Sequence, residues 1–335
     1  GDTLWVGYYP GASGTVQVVG GTLTVNNNAR FGDDGYGTGI ISDGASMRVE
    51  GDVILGDNEN AIGQLIVSGS STLWANGDLT VAEDGKGLLR IEDGSHVHVG
   101  AHLTVGYQST ASGTLVVTGG SLSVSGYIEL GYEGHATGTI SGGAVVSGAY
   151  DLYLGSTESG YGQLTVTGTN TTVLANDLWV GADGRGEFYL TDGAFLTVSS
   201  INVGYGSAAS GTAIIDGATV NASTLRIGED GQGSLFIQRG AVVTTNAFWV
   251  ADEGSATVEI SGTGTQVYAN DFDIAYYEDG DNPVMTVADG AYLSTEDTDI
   301  GRGRVASLNI SNATWDIFGP TSIGLAEIKI TDGGW

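Results

Sequence analysis

The amino-acid sequence predicts an all-β protein, a parallel β-solenoid, and two observations carry this prediction. A short strand of an apolar, a variable and an apolar residue, closed by one small residue, recurs about every 24 residues along the whole chain. Between its copies lie two further stretches of alternating polarity, separated by Asp-Gly or Gly-Gly. A fixed period of this length is the mark of stacked repeats. The closing small residues are Gly7, Gly32, Gly56, Ala82, Gly106, Gly131, Gly155, Gly181, Gly204, Gly228, Ala251, Ala275, Gly301 and Gly324.

Each repeat is predicted to contain three short strands. The opening strand ends at the small residue, and a polar loop leads to a second strand, in which Val16 and Val18 point inward and Gln17 outward. A turn such as Asp43 and Gly44 follows, because these residues accept the positive φ of a sharp turn. A third strand of the same alternating type then leads into the next repeat.

Stacking is the way in which such short repeats can satisfy their strand edges. If each strand pairs with its equivalent about 4.8 Å away, about 14 rungs form a rod of roughly 65 Å. Crossovers between parallel strands are right-handed, so we expect a right-handed β-helix. An antiparallel sandwich with hairpins at the Asp-Gly turns is the alternative, but it would not require a fixed period. The prediction is therefore one β-solenoid repeat domain over residues 1–335.

Composition and charge exclude several classes of function. The chain has 39 Asp and Glu against 10 Lys and Arg, a net charge of -29, which repels nucleic-acid phosphates and anionic lipids. It has no cysteine, so a disulfide framework and a thiolate zinc site are excluded. Its apolar runs are only a few residues long, so we expect no membrane insertion.

Several repeats resemble a known family. Residues 178–181, 188–193 and 195–198 read LWVG, FYLTDG and FLTV, and residues 79–81 and 88–94 read LTV and LLRIEDG. This pattern resembles the type V secretion and PEP-CTERM-associated repeat of autotransporter passengers and other bacterial surface proteins. The resemblance covers essentially the whole chain and implies export and display on a cell surface, although Ala82, Ala251 and Ala275 depart from the closing glycine.

Acidic residues recur in the loop after the closing small residue. Stacking would place them in a column, where like charges about 5 Å apart repel by roughly 1 to 3 kcal/mol. Either solvated side chains or bound Ca²⁺ would relieve this repulsion, although the glycine-pair spacing of calcium-binding β-rolls is absent. The candidate metal ligands are Asp33, Asp34, Glu83, Asp84, Glu229, Asp230, Asp252 and Glu253.

Paired carboxylates also serve glycosidases, which need one carboxyl group in a setting that separates its pKa from that of its partner. The acidic column looks repetitive, with no pair set apart, and Lys86 and Lys329 are the two lysines of the chain. We therefore expect no enzymatic activity and no cofactor besides a possible Ca²⁺. His96 and His98 share one face of a third strand, but no further ligand completes a metal set, so they are interpreted as surface histidines.

The variable residue of the opening strand is predicted to face outward. Large aromatic residues at this position form either a contact surface for protein or glycan, or stacked side chains that shield the sheet. The predicted binding residues are Trp5, Tyr153, Trp179 and Trp249.

These observations predict a non-enzymatic, extracellular structural or adhesive solenoid on a bacterial surface. The alternative is a polysaccharide-binding or polysaccharide-degrading β-helix. Neither Gly1 and Asp2 nor residues 331–335 form a polar cap, so we expect bare strand edges. Either neighbouring repeats of a longer chain cover these edges, or copies of the chain stack end to end into a filament, which we favour. The chain opens without a basic and apolar leader, which fits a removed leader or an excised piece.

Overall fold

The computed structural model describes residues 3–278 and 280–331. Its strands are parallel and pair with their equivalents in the neighbouring repeats, which confirms the predicted β-solenoid. Across the described ranges the secondary structure is strand, turn and bend, and no helix of a length and apolarity that could cross a membrane occurs in them. Contacts divide the chain into two units, residues 1–176 and 177–335.

Unit 1 consists of seven coils with three strands each, as predicted. The opening strands are Leu4–Val6 (β1), Ala29–Phe31 (β4), Val53–Leu55 (β7), Leu79–Val81 (β10), Leu103–Val105 (β13), Ile128–Leu130 (β16) and Leu152–Leu154 (β19). The second strands are Ser13–Val19 (β2), Tyr36–Ser42 (β5), Ile62–Val67 (β8), Lys86–Glu92 (β11), Ser112–Thr118 (β14), His135–Ser141 (β17) and Tyr161–Thr167 (β20). The third strands are Thr22–Val25 (β3), Ser46–Val49 (β6), Thr72–Ala75 (β9), His96–Val99 (β12), Ser121–Val124 (β15), Val145–Gly148 (β18) and Thr172–Leu174 (β21).

The core of unit 1 lies inside the coils and is built from stacked equivalent side chains. In the opening strands Leu79 pairs with Leu103, and both are fully buried. Burying a leucine side chain contributes about 1.5–3 kcal/mol, and each coil repeats this gain on all three strands. The closing small residue needs a left-handed backbone, with φ of 71° at Gly32, so the chain can leave the opening strand at a sharp angle.

Unit 2 begins with Asp177–Val180 (β22) and keeps the second strands of the repeat. They are Arg185–Thr191 (β23), Ser210–Asp216 (β25), Gln232–Gln238 (β27), Ser255–Ser261 (β29), Val284–Ala288 (β31), Ala306–Ser311 (β33) and Ala326–Thr331 (β36). The third strand of one coil runs directly into the opening strand of the next in Phe195–Val203 (β24), Thr219–Ile227 (β26), Val242–Val250 (β28), Gln266–Ile274 (β30) and Tyr292–Ile300 (β32). The two strands separate again in Thr314–Ile317 (β34) and Thr321–Ile323 (β35).

The prediction of three strands per rung is therefore wrong for five coils of unit 2. In unit 1 three residues, such as Glu50, Gly51 and Asp52, separate the inward residues of adjoining strands, and the glycine allows a bend. In unit 2 only Ser199 and Ser200 stand at the equivalent place, so the strand continues. The hand of the coil and the single-domain assignment stay predictions. The predicted bare edges at Gly1, Asp2 and residues 332–335 lie outside the described residues.

Candidate functional site

Three rows of outward side chains follow the opening strands in each unit. The middle row is the central residue of each opening strand, which points outward because strand side chains alternate. The preceding row is the residue just before each opening strand, and the following row is the residue just after the closing small residue. In unit 1 the middle row is Trp5, Arg30, Ile54, Thr80, Thr104, Glu129 and Tyr153.

A ladder of hydrogen bonds holds the preceding row of unit 1 in place. The backbone N–H of Asp78 donates to Oδ1 of Asp52 over 3.0 Å, and the N–H of His102 donates to Oδ1 of Asp78 over 2.9 Å. The N–H of Tyr127 then donates to Nδ1 of His102 over 3.2 Å. Each side chain thus accepts a backbone N–H of the next coil. This hydrogen bond fixes the direction of the side chain beside the middle row.

A cavity of about 300 Å³ opens between the rows of unit 1, and we call it the unit-1 groove. It is lined by Asp52, Asp78, His102 and Tyr127 of the preceding row, Ile54, Thr80 and Thr104 of the middle row, and Glu83 and Tyr107 of the following row. The groove therefore combines aromatic rings, hydroxyl groups and carboxylates along three successive opening strands, β7, β10 and β13.

The aromatic rings of the unit-1 groove stack on rings of the next coil. His102 and Tyr127 are stacked, with ring centroids 3.6 Å apart, and Tyr107 and Tyr132 are stacked with centroids 5.2 Å apart. Tyr153 of the middle row meets Tyr127 edge to face over 6.4 Å. Stacking restricts these rings, so the two sides of the groove present preformed aromatic surfaces.

The carboxyl groups of Glu83 and Glu129, near the unit-1 groove, are partly or almost fully buried. Burial raises the pKa of Glu83, Arg30 lowers it, and the charges of Asp52 and Asp84 raise it further. Burial also raises the pKa of Glu129, which is only 8% exposed although it lies on the outer face of β16. Side chains of the flanking rows cover this outer face, so an outward position does not guarantee contact with water.

Unit 2 has a cavity of about 290 Å³ at the equivalent rows, the unit-2 groove. It is lined by Trp249, Asp252, Asp271, Asp273, Tyr276 and Tyr277. Two arginines stack on its rings, since the guanidinium carbon of Arg226 lies 4.6 Å from the centroid of Trp249 and that of Arg302 lies 4.6 Å from the centroid of Tyr276. The groove is therefore aromatic and acidic, like the unit-1 groove.

Asp273 in this groove is a carboxyl group that sequence reasoning missed. Burial, together with the charges of Asp271, Asp299 and Asp252, raises its pKa to about 7, while Arg302 lowers it. Asp273 pairs in register with Asp299, and Asp271 with Asp297. Asp273 lies on the middle row, outside the acidic loop column, and the alternating Asp residues of β30 and β32 are the sequence signal that could have revealed it.

The four predicted aromatic binding residues differ in exposure. Trp5 is 43% exposed, as expected, and it lies against Tyr8 and Arg30. Tyr153, Trp179 and Trp249 are half-buried. The reason is again coverage by neighbours, because Tyr205 packs edge to face on Trp179 and Arg226 lies over Trp249.

The predicted acidic column separates into two sets. Asp33 is 8% exposed and Glu83, Glu229 and Asp252 are half-buried, and burial raises the pKa of all four. Their neighbours Asp34, Asp230 and Glu253 are exposed, whereas Asp84 is half-buried and accepts a hydrogen bond from Thr110. The carboxyl groups of the first set are therefore less exposed to water than Asp34, Asp230 and Glu253. Within the described residues, no three His, Asp or Glu side chains come together in a group that could hold a metal ion.

His96 and His98 are part of a third-strand ladder. Nδ1 of each ring lies 2.9 Å from the hydroxyl of a serine in the next coil, Ser121 and Ser123 respectively. Trp74 of the preceding coil packs on His98 with ring centroids 4.7 Å apart. These contacts stabilise the stacked coils.

The unit-1 groove is the best-formed candidate site, since rings, hydroxyls and carboxylates converge on one cavity whose sides are fixed by hydrogen bonds and stacking. Such a surface can bind a ligand that has both apolar faces and hydrogen-bonding groups. Comparison of the chain with models of known protein families, with curated proteins and with solved structures finds no match.

Proposed function

We propose that this protein is a non-enzymatic, saccharide-binding β-solenoid that acts as an adhesive on a bacterial surface. The observation that carries the proposal is the unit-1 groove, where stacked His102 and Tyr127 face Tyr107 across a floor of threonine residues. A sugar ring has an apolar face, which packs on an aromatic ring, and hydroxyls at its edge, which bond to threonine and carboxylate oxygens.

The spacing of the coils suits a chain of sugars. Equivalent side chains repeat about every 4.8 Å along the groove, which is close to the length of one sugar ring. Asp52, Asp78 and His102 of the preceding row lie on three successive coils. An extended oligosaccharide along the groove could therefore meet one set of side chains for each sugar.

A glycan array followed by calorimetric titration tests this proposal. Tyr127→Ala removes one aromatic face, and we expect it to weaken saccharide binding by about 1–2 kcal/mol, roughly tenfold. Tyr36→Ala is the matched control, because Tyr36 is 51% exposed and lies on a second strand, outside the groove. An array without any bound saccharide, or equal binding by the two variants, would contradict the proposal.

Display on a bacterial surface is supported by the resemblance of the repeats to autotransporter passengers. Antibody labelling of intact and permeabilised cells of the source organism tests it. We expect equal labelling of both samples. Labelling that requires permeabilisation would contradict surface display.

End-to-end assembly into a filament is the second function that we propose. In the last described coil the inward side chains of Ile323, Ile328 and Ile330 are 37–57% exposed. Their pairing partners Ile300, Leu308 and Ile310 are buried. Strands of another copy could pair with this coil in the same way that coils pair with one another. Neighbouring repeats of a longer chain would cover the same surface.

Sedimentation velocity and electron microscopy over a range of protein concentrations distinguish these possibilities. We expect filaments that shorten when Ile323→Asp places a charge on the exposed coil. Asp93→Asn, in a turn between strands, serves as the control. A monodisperse species at every concentration would rule out assembly of this chain with itself.

A further inference from the structure

We propose that the ligand of the unit-1 groove is a cationic saccharide, a chain of amino sugars with free amines. This inference rests on the proposed saccharide binding and names its substrate class. Three carboxylates, Asp52, Asp78 and Glu83, line the groove together with aromatic rings. Of the described side chains that line it, none belongs to Lys or Arg.

The negative charge of the groove is not cancelled by the contacts of its carboxylates. Asp52 and Asp78 each accept a backbone N–H through Oδ1, and a neutral donor leaves the charge of the carboxylate in place. Arg30 acts on Glu83, but its guanidinium is paired with Asp57. The groove therefore attracts a positive charge and repels uronic acids and sulfated sugars.

The half-buried position of Glu83 also indicates a positively charged ligand. Burial and the nearby charges of Asp52 and Asp84 raise the pKa of Glu83, so these surroundings destabilise its ionised form. A bound ammonium group would stabilise the ionised form and lower this pKa again.

Aromatic rings next to carboxylates form a setting that binds organic ammonium ions, because the ring faces and the carboxylates both attract positive charge. The unit-2 groove shows this chemistry within the protein itself. There the guanidinium groups of Arg226 and Arg302 stack on Trp249 and Tyr276, beside Asp252 and Asp273. The unit-1 groove has the same combination of side chains, with room for a ligand.

The arrangement favours a polymer over a single small amine. Asp52 and Asp78 occupy the same position on successive coils, so their carboxylates repeat at the coil spacing of about 4.8 Å. A chain of amino sugars carries its amines at a regular interval of one sugar. Several weak ion pairs formed in parallel then add to the stacking on Tyr127 and Tyr107.

Three β-1,4-linked hexasaccharides that differ only at carbon 2 test the inference. We would titrate the full chain at pH 6 with the hexamers of glucosamine, N-acetylglucosamine and glucose, and with an oligogalacturonate. We expect the glucosamine hexamer to bind about tenfold more tightly than the two neutral hexamers at low salt, and its advantage to shrink toward 150 mM salt. The oligogalacturonate should show the weakest binding.

Charge-removing variants locate the preference within the groove. Asp78→Asn keeps the Oδ1 acceptor for His102, and Glu83→Gln keeps the shape of the side chain. Each should weaken binding of the glucosamine hexamer more than binding of the glucose hexamer, and so reduce the preference for the glucosamine hexamer by about threefold. Asp93→Asn makes the same change in net charge in an exposed turn outside the groove and should leave the preference intact.

The outcomes separate the two proposals. Equal affinities for the three hexamers, with Tyr127→Ala still weakening binding, would overturn the cationic ligand but leave saccharide binding standing. A preference that survives both groove variants would also overturn it, because the attraction would then come from the net charge of the whole protein. Absence of binding by all hexamers and by the array would contradict saccharide binding itself.

Discussion

Asp273 and Glu129 occupy outward positions of opening strands and are nevertheless withdrawn from water. Glu129 is 8% exposed, and Asp273 is half-buried with a pKa of about 7. In both cases burial is the main cause of the raised pKa, because the rows on each side rise above the strand. The pKa of such a carboxyl group, measured by titration, therefore reports how deeply the group is buried between the rows.

Asp273 should make the protein less stable as the pH rises. Its folded-state pKa of about 7 exceeds the unfolded value of about 3.9, so the folded state binds the additional proton between these values. The contribution of Asp273 to stability is then fully present below about pH 4 and is lost as the pH rises to about 7 and above. Because Asp273 is half-buried, solvent screening limits the effect to about 1–2 kcal/mol.

Asp273→Asn should accordingly stabilise the protein at pH 8 by that amount and make no difference near pH 4. Urea unfolding across this pH range measures the effect. Asp297→Asn, at an exposed position on the neighbouring strand β32, is the control. A parallel pH profile for wild type and Asp273→Asn would show that the carboxyl group ionises normally.

Arg304 should contribute strongly to the stability of unit 2. It is 6% exposed, and its guanidinium donates to the carbonyl oxygens of Ala251 and Gly254 over 2.8 Å and of Asp252 over 3.0 Å. Arg304→Leu would leave buried carbonyls without these donors, at a cost of about 2–4 kcal/mol. Arg302→Leu, whose side chain is 59% exposed, should cost less than about 1 kcal/mol. Urea unfolding of both variants measures the difference, and equal losses would contradict this role of Arg304.

At the scale of the strand and turn, much of the architecture could be predicted from the sequence. The alternation around Val16 and the turn at Asp43 and Gly44 identify strands and turns locally, since each depends on neighbours in sequence. The merged strand β24 was not predicted, because the loss of one residue at Ser199 and Ser200 leaves the polarity pattern unchanged. The loss of one residue changes the repeat period little, so the prediction of a β-solenoid is still correct.

The grooves were less predictable than the strands. Trp5 and Trp249 occupy the same place in the repeat, yet one is exposed and the other is half-buried under Arg226. Burial at this position depends on side chains one coil away, about 24 residues along the chain, and a single repeat contains no such information. The unit-1 groove likewise arises from residues of three coils.

The capping ladder of unit 1 should depend on the acceptor rather than on the charge of its members. Asp78→Ala removes the oxygen that accepts the N–H of His102, so we expect a loss of about 1–2 kcal/mol. Asp78→Asn retains an acceptor and should be nearly neutral. Hydrogen exchange at the amide of His102 provides a local measurement, and it should accelerate in the alanine variant only. Equal exchange in both variants would contradict the ladder.

At the scale of the whole molecule, a net charge of -29 is a property that the sequence states directly and that no single contact reveals. Folding brings 39 acidic side chains closer together than they lie in the unfolded chain, and 10 basic side chains cannot neutralise them. The raised pKa values of Asp33, Glu83, Glu229 and Asp252 show nearby carboxylates among their causes. Self-repulsion therefore opposes the folded state.

Salt should stabilise the protein for this reason. The Debye length falls from about 30 Å at 0.01 M to about 8 Å at 0.15 M, so added NaCl screens repulsion between carboxylates of different coils. We expect the free energy of unfolding to rise by about 1–3 kcal/mol over this range, measured by urea unfolding at pH 7.5. Sucrose of equal osmolality controls for exclusion of solutes from the surface, which is independent of charge. A stability that does not change with NaCl would mean that arginine pairs such as Arg30 with Asp57, together with protonated carboxyls, already neutralise the repulsion within the coils. In that case Arg30→Gln should restore the dependence on salt, because it leaves the Asp57 carboxylate without its partner.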